Sequence, residues 1–103
     1  MVNPHAGEVA ISVEGKDYVA KLTLGSLVEL EGALGADSLV ALAERFEGGK
    51  FTSRDVLSVL VAGLRGGGWH GSSEDLLHAQ IGGGPISAAR SAAELLARAF
   101  QFG

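Results

Sequence analysis

The chain has 103 residues, of which 47% are hydrophobic and 19% charged, and it carries a net charge of −4; this composition predicts one globular domain, residues 1–103, and excludes a disordered or membrane-spanning chain. The basic residues are scattered, which argues against nucleic-acid binding because such binding needs clustered phosphate contacts. The absence of cysteine excludes disulfides and thiolate metal sites, and the first residues do not resemble a secretory signal, so we expect a cytoplasmic protein.

Residues 8–23 predict a β-hairpin. On its first strand, Val9, Ile11 and Val13 alternate with polar or small residues, as a strand buried on one face requires. The turn is expected over residues 14–17, with Gly15 and Lys16 in the central positions of a type II′ turn. The cross-strand pairs would then be Val13–Tyr18, Ile11–Ala20 and Val9–Leu22.

After the hairpin, apolar residues recur every three or four positions, which predicts helices. The first helix begins after Thr23, a suitable N-cap, and ends at Gly35. Its expected buried stripe is Leu24, Leu27, Leu30 and Leu34. The expected helices span residues 24–34, 37–47, 53–65, 73–80 and 85–101. The prediction is therefore an α+β fold, mostly helical, in which an N-terminal β-hairpin packs against about five short helices.

The start of the third helix is the strongest local signal in the chain. Thr52 and Asp55 have the spacing of a capping box, and Phe51 and Val56 occupy the positions of a hydrophobic staple. The caps expected for the second and fourth helices are Asp37 or Ser38 and Ser72 or Ser73.

Residues that could perform catalysis or bind a metal are not grouped along the chain. The three histidines, at positions 5, 70 and 78, match no common metal-ligand spacing, and no serine has the partners of a nucleophile. The glycine runs 66–68 and 82–84 lack the lysine and the strand context of a phosphate-binding loop, and we interpret them as helix ends and flexible loops. We expect a protein that is not an enzyme and needs no cofactor.

Three segments occur in a particular order along the chain: Asn-Pro-His-Ala-Gly-Glu-Val (3–9), Leu-Thr-Leu-Gly-Ser-Leu-Val-Glu-Leu-Glu (22–31) and Gly-Leu-Arg-Gly-Gly-Gly (63–68). They resemble a family encoded in the tail modules of bacterial gene transfer agents and related siphophage-like elements, whose members are named tail tube proteins or tail assembly chaperones. The resemblance implies a tail assembly chaperone that binds the apolar helices of the tape-measure protein. The alternative is a structural tail tube or connector subunit retained in the particle tail, and both roles are compatible with other tail proteins as partners or with a homo-oligomer.

Two apolar features are candidates for partner binding. Trp69 lies in a glycine-rich loop, where it either anchors the loop over the core or is exposed to a partner. The last helix has an alanine-rich face that can pack tightly within the fold or accept the helix of a partner. The candidate partner-binding residues are Trp69, Ile86, Ala89, Ala93 and Phe100.

Overall fold

A hairpin begins the fold, and five helices follow it in the described part of the chain. The computed structural model describes residue 3 and residues 6–35 and 38–100. The elements are β1 (Val9–Val13), β2 (Lys16–Ala20), α1 (Leu24–Leu34), α2 (Leu39–Glu47), α3 (Ser53–Gly66), α4 (Ser73–Leu77) and α5 (Gly84–Ala99). This element order confirms the predicted α+β class.

The fourth helix is shorter than predicted. It ends at Leu77 rather than at residue 80, because the chain that follows pairs with the hairpin instead. Ile81 forms an isolated antiparallel bridge with Val13. Among the other predicted bounds, the start of the second helix at residue 37 and the end of the last at residue 101 lie outside the described residues.

The strands of the hairpin pair in a different register from the one predicted. The observed pairs are Val13–Lys16, Ile11–Tyr18 and Val9–Ala20, so the three predicted pairs are wrong. Relative to the prediction, the partner of each β1 residue is displaced by two residues along β2. Because side chains on a strand alternate between faces every two residues, this displacement leaves each side chain on the predicted face. The apolar side chains of β1 therefore still point to the core, where Val9, Ile11 and Val13 are buried.

The turn explains the change of register. Its two central residues are Glu14 and Gly15, and both have positive φ, 52° and 77°, as a type I′ turn requires. This conformation is unfavourable for glutamate, but Gln80 stabilises it from outside the hairpin. The Glu14 N–H donates to the carbonyl oxygen of Gln80 at 2.8 Å, and a carboxylate oxygen of Glu14 accepts from the Gln80 N–H at 2.9 Å.

Side-chain caps start four of the helices at the expected residues. Thr23, Ser38, Thr52 and Ser72 each accept a hydrogen bond from a backbone N–H of the first turn. The predicted capping box of α3 is complete, because Asp55 also accepts from the backbone N–H of Thr52 at 2.9 Å. These contacts satisfy N–H groups that a helix start would otherwise leave unpaired.

The central element of the fold is α3, which packs against α1, α5, α4 and β2. It contributes Val59, Leu60 and Leu64 to the core. The predicted stripe of α1 is wrong at its first position, because Leu24 is exposed and the buried residues of this helix are Ser26 and Leu30. The first turn of α1 does reach the end of α3, where the Ser26 hydroxyl lies beside Gly66. Leu24, two residues earlier, therefore lies on the other side of the helix and is exposed.

Two glycines allow the end of α3 to lie directly against β2 and the residue that follows it, and a third allows α5 to pack closely. A Cβ atom on Gly66 would be 2.0 Å from the carbonyl oxygen of Lys21, and one on Gly67 would be 1.8 Å from that of Val19. Gly63, one turn earlier, leaves room for Leu95 of α5. The first glycine run therefore does more than end a helix: it permits a close backbone contact that any side chain would prevent.

Both edges of the hairpin make hydrogen bonds to later segments. On the β1 side, the Gly82 N–H donates to the carbonyl oxygen of Ser12 at 2.9 Å. On the β2 side, the Lys21 N–H, just beyond the strand, donates to the carbonyl oxygen of Gly63 at 2.8 Å. Parts of both edges are thus already occupied within the monomer, which limits strand addition by another chain.

Candidate protein-interaction surface

The five predicted partner-binding residues do not form one site. Ile86 is 76% exposed, whereas Trp69, Ala89, Ala93 and Phe100 are half-buried. Trp69 follows the end of α3, and Ile86 lies beside its start, so the length of this 14-residue helix separates them, about 21 Å at 1.5 Å per residue. A partner helix of ordinary length would have to span α3 to touch both.

Trp69 closes the loop that follows α3. Its backbone N–H donates to the carbonyl oxygen of Leu64 at 2.9 Å, and its side chain packs against the hydrophobic core. The ring lies so close to Gly71 that a Cβ atom there would be 2.1 Å from it. These contacts are those of a loop anchor, the first of the two interpretations of this residue, while its role in partner binding stays a prediction.

Ile86 and Ala89 lie along a groove between the first turns of α5 and α3. The remaining lining residues are Phe51, Ser53, Val56, Pro85 and Ala88, and the volume is about 400 Å³. We call this depression the Ile86 groove. One wall is fixed by stacking of Phe51 on Phe46, with ring centroids 4.7 Å apart. The groove is thus apolar, built on regular elements and open to solvent.

Two further depressions border the Ile86 groove. One shares Ser53 with it and is otherwise lined by Arg54, Leu57, Ser73, Glu74 and Leu77; its volume is about 450 Å³. The other shares Pro85 and Ala88 and extends along residues 79–81, also with about 450 Å³. Leu77 is 61% exposed. The apolar surface at this end of the molecule therefore extends beyond the residues predicted from the sequence.

Sequence reasoning missed a second apolar surface, on the first two helices. Leu24, Val28 and Val40 are 80%, 62% and 63% exposed. Leu24 and Val28 stand one turn apart on α1 and so share a face. Leu24 belongs to the stripe predicted to be buried, whereas Val28 lies outside that stripe. One feature of the sequence could have indicated this surface. Apolar residues or glycine occur on every side of α1, so the helix has more apolar side chains than one buried face can cover.

One ion pair connects α2 to the start of α3. Arg45 donates two hydrogen bonds, each 3.0 Å, to the two carboxylate oxygens of Asp55. Burial alone would raise the pKa of Asp55, but the hydrogen bonds from Arg45 and from the Thr52 backbone outweigh burial and lower it. Arg45 therefore holds α2 against the start of α3, which also forms one wall of the Ile86 groove.

The described residues contain no group of three or more histidine, aspartate or glutamate side chains arranged to hold a metal ion. His5 lies outside them, and His70 and His78 are exposed. Within the same part of the chain, no helix combines the length and the apolar character needed to cross a bilayer. The features that stand out are apolar surfaces, and such surfaces are typical of sites that bind other proteins.

Comparison with known proteins identifies the family. A family model described as "Phage tail tube protein, GTA-gp10" matches residues 6–102. No curated protein and no solved structure matches the chain. The match includes the three segments on which the resemblance was based, apart from the first residues of segment 3–9, and covers nearly the whole sequence. The chain therefore belongs to the phage tail tube protein family of gene transfer agents.

Proposed function

We propose that this protein is a structural, non-enzymatic subunit of the tail of a gene transfer agent particle, where it contacts copies of itself and other tail proteins. The observation that carries the proposal is the family match over residues 6–102. A match of this extent concerns the whole fold and not a single motif. The protein would accordingly reside in the particle tail.

The distribution of exposed apolar residues supports an assembly role. Leu24 and Val28 lie on α1, whereas Ile86 lies on α5, and these two helices flank α3 on different sides. A subunit inside an assembly needs neighbours on more than one side, so it needs more than one interaction surface. Two separate apolar surfaces on a chain of this size meet that requirement.

The covered hairpin edges indicate how such a subunit would make its contacts. Gly82 and Gly63 already form hydrogen bonds with main-chain groups along the two edges of the hairpin. A neighbouring chain therefore cannot simply add a strand there. We infer that the contacts between subunits are made mainly by side chains of the helices. Strand addition at the hairpin, which the sequence alone leaves open for a tube subunit, is the less favoured mode.

The narrower expectation of a tail assembly chaperone, which would coat the apolar helices of the tape-measure protein, draws no support from the family description. It makes a different prediction about where the protein is found, because a chaperone leaves before the particle matures. Quantitative mass spectrometry on purified particles and on the soluble fraction of the same cells separates the two roles. A capsid protein of known copy number provides the internal standard.

We expect many copies of the protein per particle, in proportion to the tail and not to the capsid. Treatment that strips peripheral proteins without breaking the tail should leave this amount unchanged. Particles that lack the protein, together with a soluble complex containing the tape-measure protein, would contradict the proposal and restore the chaperone. A protein found in neither fraction at significant amounts would contradict both roles.

A further inference from the structure

A short segment between α4 and α5 closes part of the outer edge of the hairpin. We call residues 79–83 the strap. The Gly82 N–H donates to the carbonyl oxygen of Ser12 at 2.9 Å. Two residues earlier in the strap, the carbonyl oxygen of Gln80 accepts from the Glu14 N–H at 2.8 Å. The strap therefore lies along β1 and occupies main-chain groups that a further strand would use.

Packing holds the strap only weakly. None of its residues is buried, whereas Leu76 before it and Ala88 after it are only 4% and 7% exposed. Two depressions border it: one of about 450 Å³ beside the first turn of α5, and one of about 270 Å³ between β1 and α5. A segment with few buried apolar contacts and with hydrogen bonds near the surface opens at a lower free energy than the whole fold.

The strap can move without disturbing the helices that it connects. Leu76 anchors α4 and Ala88 anchors α5, because both side chains belong to the core. Between the strap and α5, Gly83 and Gly84 have φ angles of 85° and 76°. Glycine changes its backbone conformation at low cost, so these two residues can serve as a hinge.

Glu14 fastens the strap to the turn of the hairpin. Its φ of 52° makes it the one residue other than glycine with positive φ in the described part of the chain. Such a conformation costs energy and persists where the surrounding structure enforces it. Here Gln80 enforces it, because its N–H also donates to the Glu14 carboxylate at 2.9 Å. The turn and the strap thus stabilise each other.

We propose that the strap opens as a unit while the rest of the fold stays intact, and that the Glu14 carboxylate is the latch that holds it closed. Opening breaks the hydrogen bonds of Gln80 and Gly82 together and leaves the Ser12 carbonyl oxygen unpaired. The strap therefore controls access to the edge of β1. The device lies within one molecule, so it does not depend on the role of the protein in the particle.

Hydrogen exchange followed by NMR measures this opening at single amides of the full-length protein. The N–H groups of Gln80 and Gly82 report on the strap. The N–H of Lys21, which donates to Gly63 at 2.8 Å, reports on the contact between β2 and α3. In the wild type we expect one common protection factor for the two strap amides, at least about a hundredfold below that of Lys21. Low concentrations of urea should accelerate exchange of Lys21 only, because opening the strap exposes little surface.

Two substitutions of Glu14 test the latch. Glu14→Ala removes the acceptor, whereas Glu14→Gln is the matched control because its amide oxygen can still accept from the Gln80 N–H. We expect Glu14→Ala to accelerate exchange at both strap amides about tenfold, and Glu14→Gln by less than about threefold. The Gly82 amide is the more informative of the two, since it donates to Ser12 and not to Glu14. Lys21 should stay more protected than both strap amides in each variant, which would show that the fold is intact.

Three results would overturn the proposal. Equal protection and equal urea sensitivity at Gln80, Gly82 and Lys21 would mean that the strap opens only when the protein unfolds. Acceleration by Glu14→Ala at Gln80 alone would mean that the carboxylate holds one hydrogen bond and not the strap. Exchange in Glu14→Gln as fast as in Glu14→Ala would show that the acceptor oxygen is not the latch.

Discussion

The contact between the end of α3 and β2 leads to a quantitative prediction about Gly67. The φ angle of this residue is −90°, which any amino acid adopts, so Gly67→Ala introduces no backbone strain. Its only effect is steric: the new Cβ would lie 1.8 Å from the carbonyl oxygen of Val19. An ordinary contact begins near 3.4 Å, and helix and strand must therefore separate by about 1.6 Å.

The cost of that separation follows from what lies at the contact. Adding a methyl group to a packed core typically costs about 1–3 kcal/mol when side chains can move aside. Here the obstacle is backbone, which cannot rotate away, and the hydrogen bond from Lys21 to Gly63 spans the same contact at 2.8 Å. Losing that bond adds about 1 kcal/mol. Together these two contributions predict that Gly67→Ala lowers the free energy of unfolding by about 2–4 kcal/mol.

Urea denaturation of Gly67→Ala and of the wild type measures this loss of stability. Two further glycines provide controls. Gly32 lies on the exposed side of α1 with open space around its Cβ position, so Gly32→Ala should raise stability by about 1 kcal/mol through helix propensity. Gly68 also has open space but a φ of 106°, so alanine there tests strain without a clash. If Gly67→Ala is as stable as the wild type, the close contact between α3 and β2 does not exist.

Three other predictions concern the caps, the buried carboxylate and the loop anchor. Thr52→Ala should lower stability by about 1 kcal/mol because Thr52 caps α3, while Ser53→Ala should change it little; the opposite order of denaturation midpoints would shift the helix start by one residue. Asp55→Asn should cost about 2 kcal/mol at neutral pH. The pKa of Asp55 is lowered in the folded protein, so the stability that its carboxylate contributes is complete above the ordinary pKa of 3.8 and is lost as pH falls through the folded value. The difference in free energy of unfolding between Asp55→Asn and the wild type, measured by urea denaturation, should therefore shrink below pH 3.8. A difference that stays constant with pH would refute the assignment. Trp69→Ala should lower stability by about 2 kcal/mol because a half-buried aromatic side chain is lost, and a variant of wild-type stability that no longer enters particles would make Trp69 a partner contact instead.

Sequence alone determined the features that depend on residues a few positions apart. The caps at Thr23 and Thr52 and the capping box with Asp55 were predictable because donor and acceptor are neighbours in the chain. The alternation of the first strand was predictable for the same reason, since it reflects a local two-residue period. Family membership was also readable, from short segments in a particular order.

Part of the candidate surface could also be predicted. Ile86 and Ala89 do line a groove, because an alanine-rich helix leaves shallow places where large side chains are absent. Trp69 was grouped with them, although the structure places it beyond the opposite end of α3. The sequence shows that each residue is unusual in its own segment, but the distance between two segments depends on how the helices pack.

The tertiary structure alone decided the features that join distant parts of the chain. The hairpin register follows from a turn in which Gln80 stabilises Glu14. Gln80 is 66 residues further along the chain, so the sequence of the hairpin alone does not indicate this contact. Gly67 is required because β2 happens to lie against it. Leu24 belongs to the stripe that periodicity predicts to be buried, yet it is exposed. Periodicity tells which side chains share a face of a helix, but only the neighbouring elements determine which face is covered.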